Sequence, residues 1–252
     1  MATLGMLLHK YLPNVRELAL PGNPAVDDAG MQALCEGLGR GDAPSLRNLD
    51  LSDTSFGPAG AEALAAALSR GAMLNLETVY WPSVKNLGDQ GVAALAAPLR
   101  KLPALKELCL TRCNIGDEGV ATLLGRGAMP KLEILSLSNN PIGNQGVAAL
   151  GAPLRKLPGL KVLTLINCGI GDEGVASLVA DLGKDDFKAL KELWLNHNKI
   201  TDVGMVKLVA AIAAGGLPKM RGLPWLDNNP ASDAACKAVS NAVAKRSQSY
   251  SQ

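Results

Sequence analysis

The chain has 252 residues and a formal net charge of +2, with Lys+Arg 25 against Asp+Glu 23. Hydrophobic residues reach 48% and aromatics only 3%, which excludes disorder for the bulk of the chain and requires a core of Leu, Ala, Val and Ile. The balanced charge excludes a global basic field of the kind that draws a protein to nucleic acid or to an anionic membrane.

In chain order, the first predicted element is a helix within residues 1–14, where Leu4, Leu7, Leu8 and Leu12 form a half-repeat cap over the first strand. Its apolar stretch is too short for a membrane span, and it lacks the basic flank and small-residue cleavage site of a signal peptide. Over residues 15–231 the chain repeats itself. LxxLxL runs begin at Val15, Leu46, Leu76, Leu105, Leu132, Leu160, Leu190 and Met220, 27 to 31 residues apart, so eight units of about 30 residues form one body. A longer period lies over the short one. Gly88–Leu123 recurs as Gly143–Leu178, 55 residues on, with about three-quarters of the positions identical.

Each unit reads as strand, turn and helix. In Leu132-Glu-Ile-Leu135-Ser-Leu137-Ser-Asn-Asn140 the leucines alternate with outward residues, the period of a strand. Asn140 ends the run, with counterparts at Asn23, Cys113, Cys168, Asn198 and Asn228, where a side chain can satisfy backbone groups of a turn. A buried Ile follows (Ile115, Ile142, Ile170, Ile200), then an expected helix N-cap at Asp28, Asp89, Asp117, Asn144, Asp172 and Asp202. Two residues later comes a packing Gly, as at Gly119, Gly174 and Gly204. Thr54 and Val84 depart from the turn consensus, and unit three carries an insertion at residues 82–87. Pro98 and Pro153 fall inside predicted helices and are expected to kink or split them. The last unit is degenerate around Pro224-Trp225-Leu226-Asp227, with Trp225 on a core position. Ser232 is expected to cap a final helix over 232–246, and residues 247–252 read as a disordered tail.

Five cysteines, an odd number without a CxxC pair, point to a reducing compartment, the cytoplasm or the nucleus. Cys113 and Cys168 fall on buried turn positions two units apart. Cys109 falls on an outward strand position, where an accessible thiol is expected.

The consensus LxxLxLxx(N/C)xIxDxGxxxL, recurring in phase over about residues 15–230, resembles the leucine-rich repeats of the ribonuclease-inhibitor subfamily. The alternation of Cys113 and Cys168 with Asn140 and Asn198 resembles that subfamily's two repeat types. The resemblance implies a right-handed α/β solenoid of about eight repeats in a partial horseshoe, with a parallel sheet on the concave face and helices on the convex one. Stacking alone leads there too, because a strand and a wider helix in register must curve with the helices outside.

Two histidines (His9 and His197), no phosphate loop and no nucleophile motif leave little for catalysis, so the expectation is a non-enzyme without cofactor or metal. The outward strand residues are the informative set. They offer Asp50, Tyr80, Cys109, Ser136, Thr164, Trp194 and Pro224 at the middle position, and Glu107, Ile134, Val162, Ile166, Glu192, Asn196, His197 and Asp227 beside it. Acids outnumber bases there, which favours a protein partner with a basic surface over nucleic acid or membrane insertion. Trp194 and Tyr80 are the expected anchors on a chain expected to be monomeric alone. Two rival readings come with the resemblance and the charge pattern. One is a leucine-rich-repeat activator of a small GTPase. The other is a structural subunit docking through a basic rim of Arg40, Arg70, Arg100, Lys101, Arg126, Arg155, Lys156 and Lys184. Those cations are otherwise explained by the helix macrodipole.

Overall fold

A computed structural model describes residues 1–125, 129–155, 157–183, 186–220 and 225–249, with backbone alone for 247–249. Among them run seven strands, β1 (Glu17–Ala19), β2 (Asn48–Asp50), β3 (Thr78–Tyr80), β4 (Glu107–Cys109), β5 (Ile134–Ser136), β6 (Val162–Thr164) and β7 (Glu192–Trp194). They form one parallel sheet in sequence order. The helices among the described residues are α1 (Ala2–Lys10), α2 (Asp28–Cys35), α3 (Pro58–Ser69), α4 (Gly88–Arg100), α5 (Asp117–Leu124), α6 (Gly143–Arg155), α7 (Asp172–Val179), α8 (Asp202–Ala213) and α9 (Asp233–Ser249). Among the described residues each helix packs only on its sequence neighbours, so the solenoid is open and its two ends do not meet. This is the expected α/β leucine-rich-repeat architecture, with one difference. Among the described residues the eighth unit joins the sheet through a single bridge, Trp194 to Trp225.

The core is a set of columns. The strand centres Leu18, Leu49, Val79, Leu108, Leu135, Leu163 and Leu193 pair in register and are all buried. Each contributes about 1.5–3 kcal/mol by leaving water, which is why three-residue strands suffice. Behind them lies a second buried column that includes Phe56, Leu87, Ile115, Ile142, Ile170 and Ile200. Phe56 and the fully buried Trp81 meet edge to face at 6.0 Å.

Polar stitches join one unit to the next. Asn140 Oδ1 accepts the amides of Cys113 (2.9 Å) and Ile115 (3.0 Å), while its Nδ2 donates to the Leu110 and Leu137 carbonyls, each at 2.8 Å. Asn198 repeats the pattern on Cys168, Ile170, Leu165 and Leu195. In the last unit that role belongs to Asn229, which binds Ile200, Leu195 and Leu226, and not to Asn228. Cys113 and Cys168 occupy the alternate turns, where burial pushes their thiols up to about 12 and about 11.

Asp28, Asp89, Asn144, Asp172 and Asp202 hold the start of the following helix, not of their own. Asp28 Oδ1 accepts from Gly57 (2.6 Å) and Gly60 (2.7 Å), which start the following helix. Asp89 does the same for Gly116, Asn144 for Gly171 and Gly174, Asp172 for Thr201 and Gly204, and Asp202 for Ser232. The true N-cap positions are Asp27, Gly57, Leu87, Gly116, Gly171 and Thr201, and four of these cannot or do not supply a capping side chain. For α3 and α5 the carboxylate one unit back takes over, and for α7 the Asn144 amide oxygen does. Burial alone would raise the Asp172 carboxyl, but the Thr201 hydroxyl and the Thr201 and Gly204 amides hold it below the usual carboxylate range.

The cations at helix ends also act across units. Arg70 donates to the Leu38 and Cys35 carbonyls at the end of α2, Arg100 to Thr122 and Leu123 of α5, and Arg155 to Ala180 after α7. These three recipients are the eight-residue helices, and the donors sit at the ends of helices of 12 or 13 residues. Arg126, Lys156 and Lys184 lie outside the described residues. Pro98 and Pro153 fall in the last turns of α4 and α6, and neither helix is split. Ser232 caps α9 through Ala235, and α9 continues to Ser249, past the expected end at residue 246 and into the expected tail.

Candidate partner-binding face

Two rows of side chains leave the concave surface of the sheet. Register places Glu17, Asn48, Thr78, Glu107, Ile134, Val162 and Glu192 in one row. Ala19, Asp50, Tyr80, Cys109, Ser136, Thr164, Trp194 and, through the bridge, Trp225 form the other. A third set, Ser138, Ile166, Asn196 and Asp227, follows where the strands end. Next comes a left-handed residue in each unit, among them Asp53, Arg112, Asn167, His197 and Asn228 with φ between 51° and 58°. These turns carry the chain off the sheet and present polar side chains along its edge.

In the N-terminal half Tyr80 is 41% exposed, beside Asp50 and across from Cys109. The Cys109 thiol, partial burial and the Asp50, Glu107 and Asp53 carboxylates raise its phenol above the usual range. Asp50 is held by the Ser52 amide at 2.9 Å and by the Ser52 hydroxyl. Cys109 is a correction. It is buried in the row between Tyr80 and Ser136, with Thr111 Oγ1 3.6 Å from its sulfur. It is not an accessible thiol.

In the C-terminal half Ile134 and Val162 pair in register, both half-buried. Ser138 Oγ donates to Thr164 Oγ1 at 3.0 Å and accepts the Ile166 amide at 3.1 Å, which fixes that corner. Trp194 is half-buried, with Nε1 donating to Glu192 Oε2 at 3.1 Å. Asn196 Nδ2 lies 3.4 Å from Asp227 Oδ2, and the exposed His197 ring lies 3.2 Å from Asn228 Nδ2.

Trp225 is the second correction, and the residue that reasoning from sequence missed. It is 46% exposed, and its ring lies against Trp194 with centroids 4.9 Å apart and planes 30° from parallel. Spacing the last unit 30 residues after its predecessor puts Trp225 on a core position. The observed interval is 31, since Trp225 matches Trp194 and Leu226 matches Leu195. A one-residue slip turns every strand side chain to the other face. The signal was present in Asn228-Asn229-Pro230, which repeats Asn139-Asn140-Pro141 and fixes Asn229 as the turn residue. Pro224 lies outside the described residues.

Among the described residues no group of three or more His, Cys, Asp or Glu side chains is placed to hold a metal ion, and no helix is long and apolar enough to cross a membrane. A family model described as Leucine Rich repeat matches residues 11–35, 43–65, 101–124, 128–151, 158–179 and 189–209. NACHT, LRR and PYD domains-containing protein 12 of Mus musculus is 35% identical over 162 residues, covering 61% of this chain and 15% of that protein. Ribonuclease inhibitor of Sus scrofa is 33% identical over 143 residues, 56% of this chain and 30% of that protein. The chain thus spans less than a third of either relative. The crystal structure of an internalin from Listeria monocytogenes covers 89% of this chain and 64% of its own, at 20% identity and a TM-score of 0.45. With six in-phase matches over a parallel repeat sheet, the chain belongs to the leucine-rich-repeat family, in its ribonuclease-inhibitor-like form.

Proposed function

We propose that this chain is a non-catalytic scaffold that holds a protein partner on its concave sheet. The carrying observation is the Trp194–Trp225 pair, two stacked indoles on an open sheet surface, where an isolated solenoid gains little from exposing them. Tyr80 supplies a second aromatic contact, and Ile134, Val162 and Ile166 an apolar floor. An open curved surface suits a macromolecule better than a small substrate, which needs an enclosed pocket. The relatives include ribonuclease inhibitors, whose name describes a protein that acts on another protein, in agreement with this reading. The basic rim is the weaker surface, because Arg70, Arg100 and Arg155 are engaged with backbone carbonyls.

We further propose that α1, which packs on α2 and buries Leu8, and α9, which packs on α8 and buries Val239 and Val243, act as the caps of the repeat array. Five unpaired thiols favour a reducing, cytoplasmic setting.

The test is affinity capture from source lysate with the wild-type chain and with Trp194→Ala and Trp225→Ala. The proposal expects a captured protein to be lost by both variants while their melting temperatures stay within about 3 °C of wild type. A partner retained by both, or lost only on Arg100→Ala with Arg155→Ala, refutes it.

A further inference from the structure

Two groups of carboxylates border the sheet. Along the rim where the strands begin, Glu77 is bonded to Arg47 (2.7 Å) and Lys106 (2.6 Å), and Glu133 to Lys161 (2.6 Å). Those acids already have their counterions, and the Lys106 and Arg47 hydrogen bonds hold Glu77 below the usual carboxylate range. On the concave face, Glu192 and Asp227 are exposed and take part in no salt bridge among the described residues. Glu192 accepts the Trp194 indole N–H, and Asp227 the Asn196 amide, which leaves most of their lone pairs to solvent.

Position makes these two carboxylates part of one site. Glu192 is two residues before Trp194, and Asp227 two after Trp225, so both leave the same face as the indoles and bracket the pair along the strand direction. No strand lies beyond Trp225 among the described residues, which leaves its outer surface open. An aliphatic side chain laid on these rings would bring two unpaired carboxylates towards an interface with nothing to neutralise them. A guanidinium meets both demands. It is planar and weakly hydrated, it stacks on indole, and its edge carries N–H donors for carboxylates. Asp50 and Glu107, farther along the sheet, carry charge of the same sign.

We infer that the Trp194–Trp225 pair, with Glu192 and Asp227, is a seat for an arginine side chain of the protein partner. This inference rests on the concave face being the partner surface. It adds the chemistry of what the partner presents at the C-terminal end of that face.

The seat can be read without knowing the partner. The probes are acetyl-triarginine amide, its tricitrulline counterpart (the same shape without charge) and acetyl-leucine amide. Each is titrated into the ¹⁵N-labelled full chain while the three indole N–H resonances are followed, the buried Trp81 serving as internal reference. Triarginine is expected to shift Trp194 and Trp225 and leave Trp81 in place, with binding at least about threefold stronger than tricitrulline. Glu192→Gln with Asp227→Asn is expected to weaken triarginine by about three- to tenfold without changing the melting temperature, and added salt should erode the difference. Equal shifts from tricitrulline or acetyl-leucine amide, no shift from triarginine, or equal triarginine binding by the neutralised variant would overturn the inference. The two levels separate in the capture experiment. A partner lost on Trp225→Ala but held fully by the neutralised variant keeps the concave face and removes the arginine seat. A partner held by both variants removes the face itself.

Discussion

Asn140 is the sharpest place to test the stitched-column description. Its amide satisfies four backbone groups from two units, the Cys113 and Ile115 amides and the Leu110 and Leu137 carbonyls, all within 3.0 Å and all buried. At about 1 kcal/mol for each net hydrogen bond, Asn140→Ala costs about 4 kcal/mol, and more where a buried group stays without a partner. Cys168 occupies the equivalent position in the alternate repeat type, yet its thiol makes only long contacts of 3.4 Å to the Leu137 and Ile166 carbonyls. Cys168→Ala should therefore cost about 1–2 kcal/mol, mostly lost packing. The assay is urea unfolding of both variants under reducing conditions, with the denaturant slope checked for constancy so that the midpoints report stability. Hydrogen exchange adds a local readout, since the Cys113 and Ile115 amides should lose about 100-fold protection in Asn140→Ala. Costs for the two variants within 1 kcal/mol of each other, or unchanged exchange at Cys113 and Ile115, would refute the assignment of the turn asparagine as a four-way backbone clamp.

Three further outcomes follow from the geometry. A Cβ at Gly204 would lie 2.5 Å from Asp172 Oδ1 and 2.7 Å from Ile200 Cγ2, so Gly204→Ala should cost about 2 kcal/mol, or about 4–8 °C in melting temperature. Gly39→Ala, with its nearest neighbour at 4.0 Å, serves as the neutral control. Burial raises the Cys35 thiol from 9.0 to about 12, the nearby Arg70 only partly opposing it. A folded-state pKa above the unfolded one gives stability that is complete below about pH 9 and drains away as pH climbs towards 12. Between pH 8 and 10.5 the wild type should accordingly lose about 2 kcal/mol more than Cys35→Ala, read by urea unfolding at the two pH values. Deleting residues 89–143 joins Gly88 to Asn144 and replaces α4 by the nearly identical α6. The shortened chain should still unfold in one cooperative step, with a denaturant slope about one-fifth lower, and a non-cooperative transition in urea would count against interchangeable interfaces.

How much of this was legible in the sequence depended on whether the relevant partner was near in the chain. The leucine columns, the buried isoleucines and the Asn/Cys turns at residues 113, 140, 168 and 198 recur in phase, so periodicity alone placed them, while the last turn fell one residue off, on Asn229. The aspartates of the helix starts were legible as capping residues but not as caps for the next helix, because local reasoning pairs Asp172 with its own α7 when Thr201 and Gly204 lie 29 and 32 residues away. The same limit applied to Arg100, whose carbonyl partners are 22 and 23 residues on. On the concave face, Trp194 and Tyr80 emerged from strand alternation. Trp225 did not, because a single extra residue in the last unit reverses the parity on which alternation depends. Cys109 failed for another reason. Alternation tells which face a side chain leaves, not how far its neighbours on that face bury it.

The carboxylates of Asp28, Asp89, Asp172 and Asp202 reach in one direction, to Gly57, Gly116, Thr201 and Ser232 of the following unit. During synthesis the anchoring oxygen therefore leaves the ribosome some thirty residues ahead of the amides it will hold. Each new coil meets a finished docking point instead of searching for one, and the array lends itself to being laid down in the order of translation.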